Sequence, residues 1–227
     1  MEEMLTVLGI DSCGPETTLV LAKCNAKEIS VVRAATLAPR MAASGIVDAL
    51  HQLLTDLPLS KLDAMVVVRG PGSFTGMRIG LSCAKGFAAA TGVPLVGVSR
   101  LAVLAHAAGA DWAALDAGRG NVYLRESVTG KEQMVTAAEA RAQVPRMFWP
   151  KLAICEAKAA AVFSDHLSSL QGEEQAAHHL RPAPDAAAAV RFALPRLPAG
   201  DWDNAENLDA LYLWREEQMF ARQAAQP

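Results

Sequence analysis

The amino-acid sequence predicts an α/β protein made of two halves that repeat one βββαβα theme, the second abbreviated. Three observations predict it. Short β-branched runs alternate with amphipathic runs of helical period through the first half of the chain. AMVVV at Ala64–Val68 is a continuous apolar run of the kind buried on both faces of a sheet. After residue 109 the order of three extended runs, helix, strand and helix returns in shortened form. Two subdomains are therefore expected, residues 1–108 and 109–227.

LTVLGID at 5–11, TTLVLAK at 17–23 and EISVVRAA at 28–35 are each followed by turn chemistry, such as Cys13-Gly14-Pro15, and read as three consecutive antiparallel strands. Over 41–57 the positions Ile46, Val47, Leu50, Leu53, Leu54 and Leu57 keep the i, i+3, i+4, i+7 spacing of an amphipathic helix, which Pro58 ends. The strand at Ala64–Val68 leads through a glycine-rich joint into a helix at 74–90, stopped by Gly92 and Pro94. PLVGV at 94–98 is a further buried strand, and Ser99 is placed to cap a helix through His106. In the second half, 112–117 and 121–127 form a hairpin around Gly118-Arg119-Gly120, with a third strand at 132–136. A short helix at 137–144, a strand at 151–155 and a helix at 157–170 follow, then 178–184, a helix-like stretch at 185–194 and the proline-rich LPRLPAG at 194–200. Beyond Asp209 the pattern fits a strand and a helix equally.

Composition narrows the function. At 52% hydrophobic and 20% charged residues, with a mean hydropathy of +0.17, the chain buries a sizeable core and is not of the disordered class. A formal charge of −3 argues against a whole-molecule grip on nucleic acid, whose phosphates demand clustered Lys and Arg. No stretch reaches the roughly 20 apolar residues that span a bilayer, and the start MEEMLTVLGID is acidic where a signal peptide is basic, so a cytoplasmic protein without membrane association is expected. Cys13, Cys24, Cys83 and Cys155 lack metal or redox spacing and read as small buried hydrophobes, and adjacent His178 and His179 fit no metal motif, so no metal site is expected.

Arg69 to Gly80, RGPGSFTGMRIG, concentrates the chemistry. A Walker loop requires Gly-Lys-Ser or Gly-Lys-Thr, which the chain lacks. Gly70, Gly72 and Gly76 are one residue too widely spaced for a dinucleotide fingerprint, and Phe74 stands where a nucleophile elbow needs serine. What remains is a helix start: Ser73 can cap it, its amides carry about half a positive charge, and Arg69 and Arg78 could add charge-assisted hydrogen bonds to an anion. The same glycines also serve a plain tight turn. Within the helix, Gly76, Gly80, Ala84 and Ala88 fall four apart and form a ridge of small residues along which another backbone can approach, either the chain's own sheet or a partner's helix. No catalytic residue is assigned. Asp11 and Ser12 end the first strand and, with Gly70, Gly72, Ser73, Thr75 and Gly76, are the anion- or nucleotide-proximal candidates; Asp116 mirrors Asp11 in the second half.

With its LGIDS opening, RGPGSFTGMRIG, PLVGVSRL, DAGRGNVYL and LYLWR near the end, the sequence closely resembles the TsaB/YeaZ family of bacterial tRNA threonylcarbamoyladenosine biosynthesis proteins. The likeness runs from residue 5 to about 127 and returns at 211–215. It implies an actin-like, Hsp70-like ATPase (ASKHA) fold and a non-catalytic role in making t6A at adenosine 37 of tRNAs that read codons beginning with A. The implied partners are TsaD, a metal-carrying paralogue that transfers the threonylcarbamoyl group, and TsaE, with a functional link to TsaC and contact with tRNA through the complex. No cofactor of its own is implied, with ATP or ADP, where bound, at the interface with TsaD. The family's partner surface lies on its first two helices, which carries over to Ile46, Val47, Leu50, Leu53, Leu54, Met77, Gly80, Leu81 and Ala84. On that basis Gly80→Leu is expected to block association while leaving the monomer folded, and without its partner the same surface can form a homodimer. Where many relatives open the first of these helices with His and then Ser or Thr, this chain reads Pro39-Arg40-Met41-Ala42-Ala43. An ATPase or phosphotransferase using Asp11 and the Gly70 to Gly76 loop is the alternative.

Overall fold

The structure, a computed structural model, describes residues 4–167 and 180–213. Its elements in chain order are β1 (Leu5–Asp11), β2 (Thr17–Cys24), β3 (Ile29–Leu37), α1 (Ala42–Leu53), β4 (Ala64–Val68), α2 (Phe74–Thr91), β5 (Leu95–Val98), α3 (Arg100–Ala108), β6 (Trp112–Gly118), β7 (Asn121–Glu126), β8 (Glu132–Thr136), α4 (Ala137–Gln143), β9 (Leu152–Ile154), α5 (Ala157–Leu167) and α6 (Ala186–Ala193). The chain divides into two compact units. Unit 1 takes the described residues up to Val103 together with Ala183–Leu211, and unit 2 takes those of Leu104–Pro182 and Tyr212–Pro227.

Unit 1 is a mixed five-stranded sheet in the order β3-β2-β1-β4-β5. β1, β2 and β3 pair antiparallel as a meander, whereas β4 and β5 join β1 in parallel register. The apolar run of β4 is explained by period-two alternation between two cores. Ala64, Val66 and Val68 face a core shared with Val7, Val20 and α6, and Met65 and Val67 face one shared with Leu8, Ile10, α1 and α2. α1 and α2 therefore cover one face of the sheet and α6 the other.

Unit 2 is a four-stranded sheet in the order β8-β7-β6-β9, with the β6–β7–β8 meander antiparallel and β9 parallel to β6. Its core gathers Val122, Leu124, Ile154, Ala159 and Phe163. The hairpin turns at Gly118, Arg119 and Gly120, all at positive φ. At the start of α4 the Thr136 side chain and Glu139 satisfy each other's backbone N–H groups in a capping box.

The elements differ from the sequence expectation in three places. The boundary at 108/109 does not hold, because the division falls inside α3 and Ala183–Leu211 returns to unit 1. The reason is packing: Ala186, Ala189, Val190 and Ala193 form a helical stripe of small apolar residues that closes the second face of the first sheet. α1 ends at Leu53 rather than 57, since the chain leaves helical geometry at Leu54 and turns at Asp56, whose φ is +65°. Residues 209–213 are neither strand nor helix; the rest of the tail, His178 and His179, and the expected last turn of α5 lie outside the described residues. No helix among the described residues is long and apolar enough to cross a membrane.

Candidate functional site

The glycine-rich joint and the end of β1 meet. The Ser73 N–H donates to the Cys13 carbonyl oxygen at 2.8 Å, and a Cβ at Gly72 would lie 2.3 Å from that same oxygen. One turn later the Ser12 hydroxyl donates to the Gly76 carbonyl oxygen at 2.7 Å. A Cβ at Gly76 would stand 1.9 Å from the Ser12 carbonyl oxygen, and one at Gly80 would stand 2.1 Å from the Ser12 Oγ. The small-residue ridge thus faces inward: Gly76, Gly80, Ala84 and Ala88 are all buried, and what approaches the first two is the chain's own β1 end. Two glycines inside a helix cost about 1 kcal/mol each relative to alanine, and this close approach is what requires them.

Ser73 caps α2 by accepting from the Gly76 N–H at 3.2 Å. The two arginines do not converge on that helix start. Arg78 stacks on the Phe74 ring, 3.9 Å from its centroid, and Arg69 lines an open cleft of about 330 Å³ with Gly97, Arg196 and Asp203. The expected cluster is corrected accordingly: Asp11, Ser12, Gly72, Ser73 and Gly76 come together, Gly70 joins through the backbone, and Thr75 is exposed. The polar atoms of the cluster are largely spent on one another.

Asp11 is buried at the end of β1, with its Oδ1 accepting from the Cys13 N–H at 2.9 Å. Burial pushes its carboxyl above the usual range, while the Arg100 guanidinium and the Cys13 amide pull it back and Asp185 adds to the rise. Arg100 was not among the residues singled out from the sequence, because an arginine opening a helix reads as a surface residue. Here it is 2% exposed, and its N–H donates to the Gly70 carbonyl oxygen at 2.7 Å. The Cys13 thiol donates to the Val68 carbonyl oxygen at 3.2 Å, and burial, reinforced by Asp11, pushes it well above the ordinary thiol range. It is no nucleophile.

In unit 2, Asp116 repeats the local geometry of Asp11. Its Oδ1 accepts from the Gly118 N–H at 2.9 Å, and its own N–H donates to Glu156 at 2.6 Å. No group of three His, Cys, Asp or Glu side chains suited to a metal ion forms among the described residues.

The residues expected at a partner surface are mostly core. Ile46, Leu50, Leu53, Leu81 and Ala84 pack into the α1/α2 side of the sheet, Met77 enters the opposite core, and Gly80 lies against Ser12. Leu54 is half-buried. Val47 alone of that set is exposed, at 68%. The correction follows from helical period: the stripe that predicts an amphipathic helix is the stripe its own sheet takes, and the outer face is what remains. That outer face carries Ser44, Val47, Asp48 and His51 on α1 and Phe74, Arg78 and Ser82 on α2.

Comparison with known proteins bears on this geometry. A family model described as TsaD, tRNA N6-adenosine threonylcarbamoyltransferase, matches residues 36–189. A protein of that description from Ruegeria pomeroyi is 37% identical over 121 residues, covering 45% of this chain and 33% of the relative. The tRNA threonylcarbamoyladenosine biosynthesis protein TsaB of Escherichia coli is 40% identical over 101 residues, covering 40% and 42% of the two chains. This chain thus spans less than half the length of either curated relative. Among solved structures, YeaZ from Pseudomonas aeruginosa superposes with a TM-score of 0.64 at 25% identity, over 92% of this chain and all of that one. With more than half of its length matched by the family model, the chain belongs to the TsaD family and is one of its TsaB/YeaZ members.

Proposed function

We propose that this chain takes part in forming threonylcarbamoyladenosine at position 37 of tRNAs reading codons that begin with A, as a non-catalytic subunit that binds and activates TsaD. The fold that goes with this reading is actin-like, of the ASKHA type, with the second βββαβα subdomain abbreviated. The single observation that carries it is the inward commitment of the phosphate-loop-like segment. Ser12, Asp11 and Ser73 direct their polar atoms to Gly76, Cys13 and the α2 cap, so the joint ties α2 to β1 and holds the α1/α2 pair as a rigid face.

On this reading the outer face of α1 and α2 meets TsaD, TsaE joins the assembly, TsaC supplies the activated threonylcarbamoyl group, and tRNA is reached through the complex. The chain holds no cofactor of its own, and ATP or ADP binds where it meets TsaD. Its place is the cytoplasm, and in the absence of TsaD the same face supports a homodimer.

The test is co-expression and co-purification with the TsaD homologue of the same organism, followed by an assay of tRNA modification with and without this chain. A stable complex and modification that depends on the chain are expected; modification at full rate without it refutes the reading. The alternative, an ATPase or phosphotransferase using Asp11 and the Gly70 to Gly76 loop, forecasts Mg-ATP turnover by the isolated protein, which calorimetry and phosphate release measure directly.

A further inference from the structure

Arg69 follows β4 directly, and its backbone is held on both sides. Its N–H donates to the Val98 carbonyl oxygen at 3.0 Å, and its carbonyl oxygen accepts from the Leu211 N–H at 2.7 Å. The side-chain stem crosses β5 where Gly97 has no side chain, since a Cβ there would stand 3.3 Å from the Arg69 Cδ. The arginine is thereby laid into the cleft of about 330 Å³ that it lines with Gly97, Arg196, Asp203, Asn204 and Asn207, all residues of unit 1. Arg69 is half-buried, and its guanidinium forms no hydrogen bond or ion pair with any described residue.

The acceptors of the cleft are engaged, and what is left over is a set of donors. Arg196 Nε donates to Asp201 Oδ2 at 2.7 Å, and its Nη2 lies 3.2 Å from Asp203 Oδ1. The other oxygen of Asp203 accepts from the Gly97 N–H at 2.7 Å. Asn204 Oδ1 accepts from the N–H groups of Glu206 and Asn207 at 2.8 and 3.3 Å, which leaves its NH2 group unused. The Asn207 side chain has no hydrogen bond to a described residue. A guanidinium and two amide NH2 groups therefore remain to meet a ligand's oxygens.

Charge selects among such ligands. One guanidinium against two carboxylates leaves the Arg196, Asp201 and Asp203 group at −1. Arg69 is the one uncommitted cation among the described lining residues, so a phosphate dianion would set two charges against a single counter-charge, with Asp203 in the same cleft. A carboxylate brings one charge, and its two oxygens match the planar fork of a guanidinium. We propose that this cleft binds a monocarboxylate, which Arg69 grips and to which Asn204 and Asn207 add donors. The cleft is larger than a carboxyl group, so the carboxylate anchors either a small organic acid or the C-terminus of a peptide. The site is separate from the outer face of α1 and α2, and every readout is taken on the isolated full chain.

The test titrates the chain with N-acetylglycine and with acetyl-Ala-Ala-Gly, each beside its C-terminal amide, and with inorganic phosphate, reading dissociation constants from protein chemical shifts. At least one acid is expected to bind saturably with a constant on the order of 10 mM or below, as a charge-assisted contact of this size allows. Its amide and phosphate bind at least about tenfold more weakly, and Arg69→Gln weakens the acid by about tenfold or more. Binding of N-acetylglycine alone assigns the site to small acids, and tighter binding of the peptide assigns it to a chain terminus; both support it. Asn207 is exposed, so Asn207→Asp keeps the fold and sets a second carboxylate beside the ligand, weakening the acid by about tenfold. That variant carries the test should Arg69→Gln fail to fold. No saturable binding of either acid up to about 50 mM overturns the proposal. So does binding of the amides or of phosphate as tight as that of the acids, or unchanged affinity in a folded Arg69→Gln chain.

Discussion

The Ser12 hydroxyl donates to the Gly76 carbonyl oxygen over 2.7 Å, and the Ser12 carbonyl oxygen occupies the space a side chain at position 76 would need. Gly76→Ala sets a methyl 1.9 Å from a backbone oxygen that cannot rotate away. A loss of at least about 3 kcal/mol in chemical denaturation is expected, at the upper end of overpacking costs. Gly80→Ala meets the Ser12 Oγ at 2.1 Å, a side-chain atom, so it costs less, about 1–3 kcal/mol, and Ser12→Ala in the same chain recovers part of it. Gly80→Leu unfolds the monomer rather than sparing it, which reverses the expectation drawn from the sequence. A folded Gly80→Leu monomer by circular dichroism refutes this placement of α2.

Gly86 is the contrasting case on the same helix. A Cβ there meets nothing within 4 Å, and the position is exposed in the interior of α2. Gly86→Ala is expected to stabilise the chain by about 0.5–1 kcal/mol through helix propensity and a less flexible unfolded chain. A thermal melt reads it, and an unchanged or lower midpoint counts against the helix geometry at that point.

How much of this was legible beforehand depends on range. Period-two and period-3.6 patterns are local, and they place β1 to β5, α1, α2 and the β6–β7 hairpin within a few residues of where they stand. Which surface a stripe faces is not local. Gly76 and Gly80 read equally as an interface ridge or a packing ridge until Ser12, 64 residues away in sequence from Gly76, is seen against them. Arg100 shows the same limit, since nothing in PLVGVSRL says that its side chain is buried and lies beside Gly14. The return of Ala186–Ala193 to the first sheet is likewise a pairing over long sequence distance, with no signal in the helix beyond its small apolar stripe.

Alkaline pH probes the buried thiols. Burial, with Asp63 adding to it, pushes the Cys24 thiol up to about 11 from 9.0. Between those values the unfolded chain loses the thiol proton while the folded chain keeps it, so the unfolded state binds fewer protons and stability falls as pH rises. Cys13, also raised by burial, acts in the same direction. Urea midpoints are expected to decline from pH 9 toward 11, with a shallower decline in Cys24→Ala. An equally steep decline in that variant removes Cys24 as a cause.

Val47 offers the most direct test of where TsaD binds. It is 68% exposed on α1 while its neighbours Ile46, Ala49 and Leu50 are buried in the core, so a change there alters the surface and leaves the sheet contacts alone. Val47→Arg is expected to shift folding stability by less than about 0.5 kcal/mol. If the outer face of α1 and α2 is the docking face, Val47 and Phe74 are its exposed apolar residues, and an arginine at 47 replaces one of them with a long charged side chain at the centre of the interface. Truncation or charge at such a centre costs at least about 1.4 kcal/mol, or tenfold in affinity. Titration of the variant into the TsaD homologue by sedimentation velocity measures this. Wild-type affinity in a folded Val47→Arg chain places the docking face elsewhere, and β3, whose Val31 and Val32 are 49% and 50% exposed at the free edge of the first sheet, becomes the next surface to substitute.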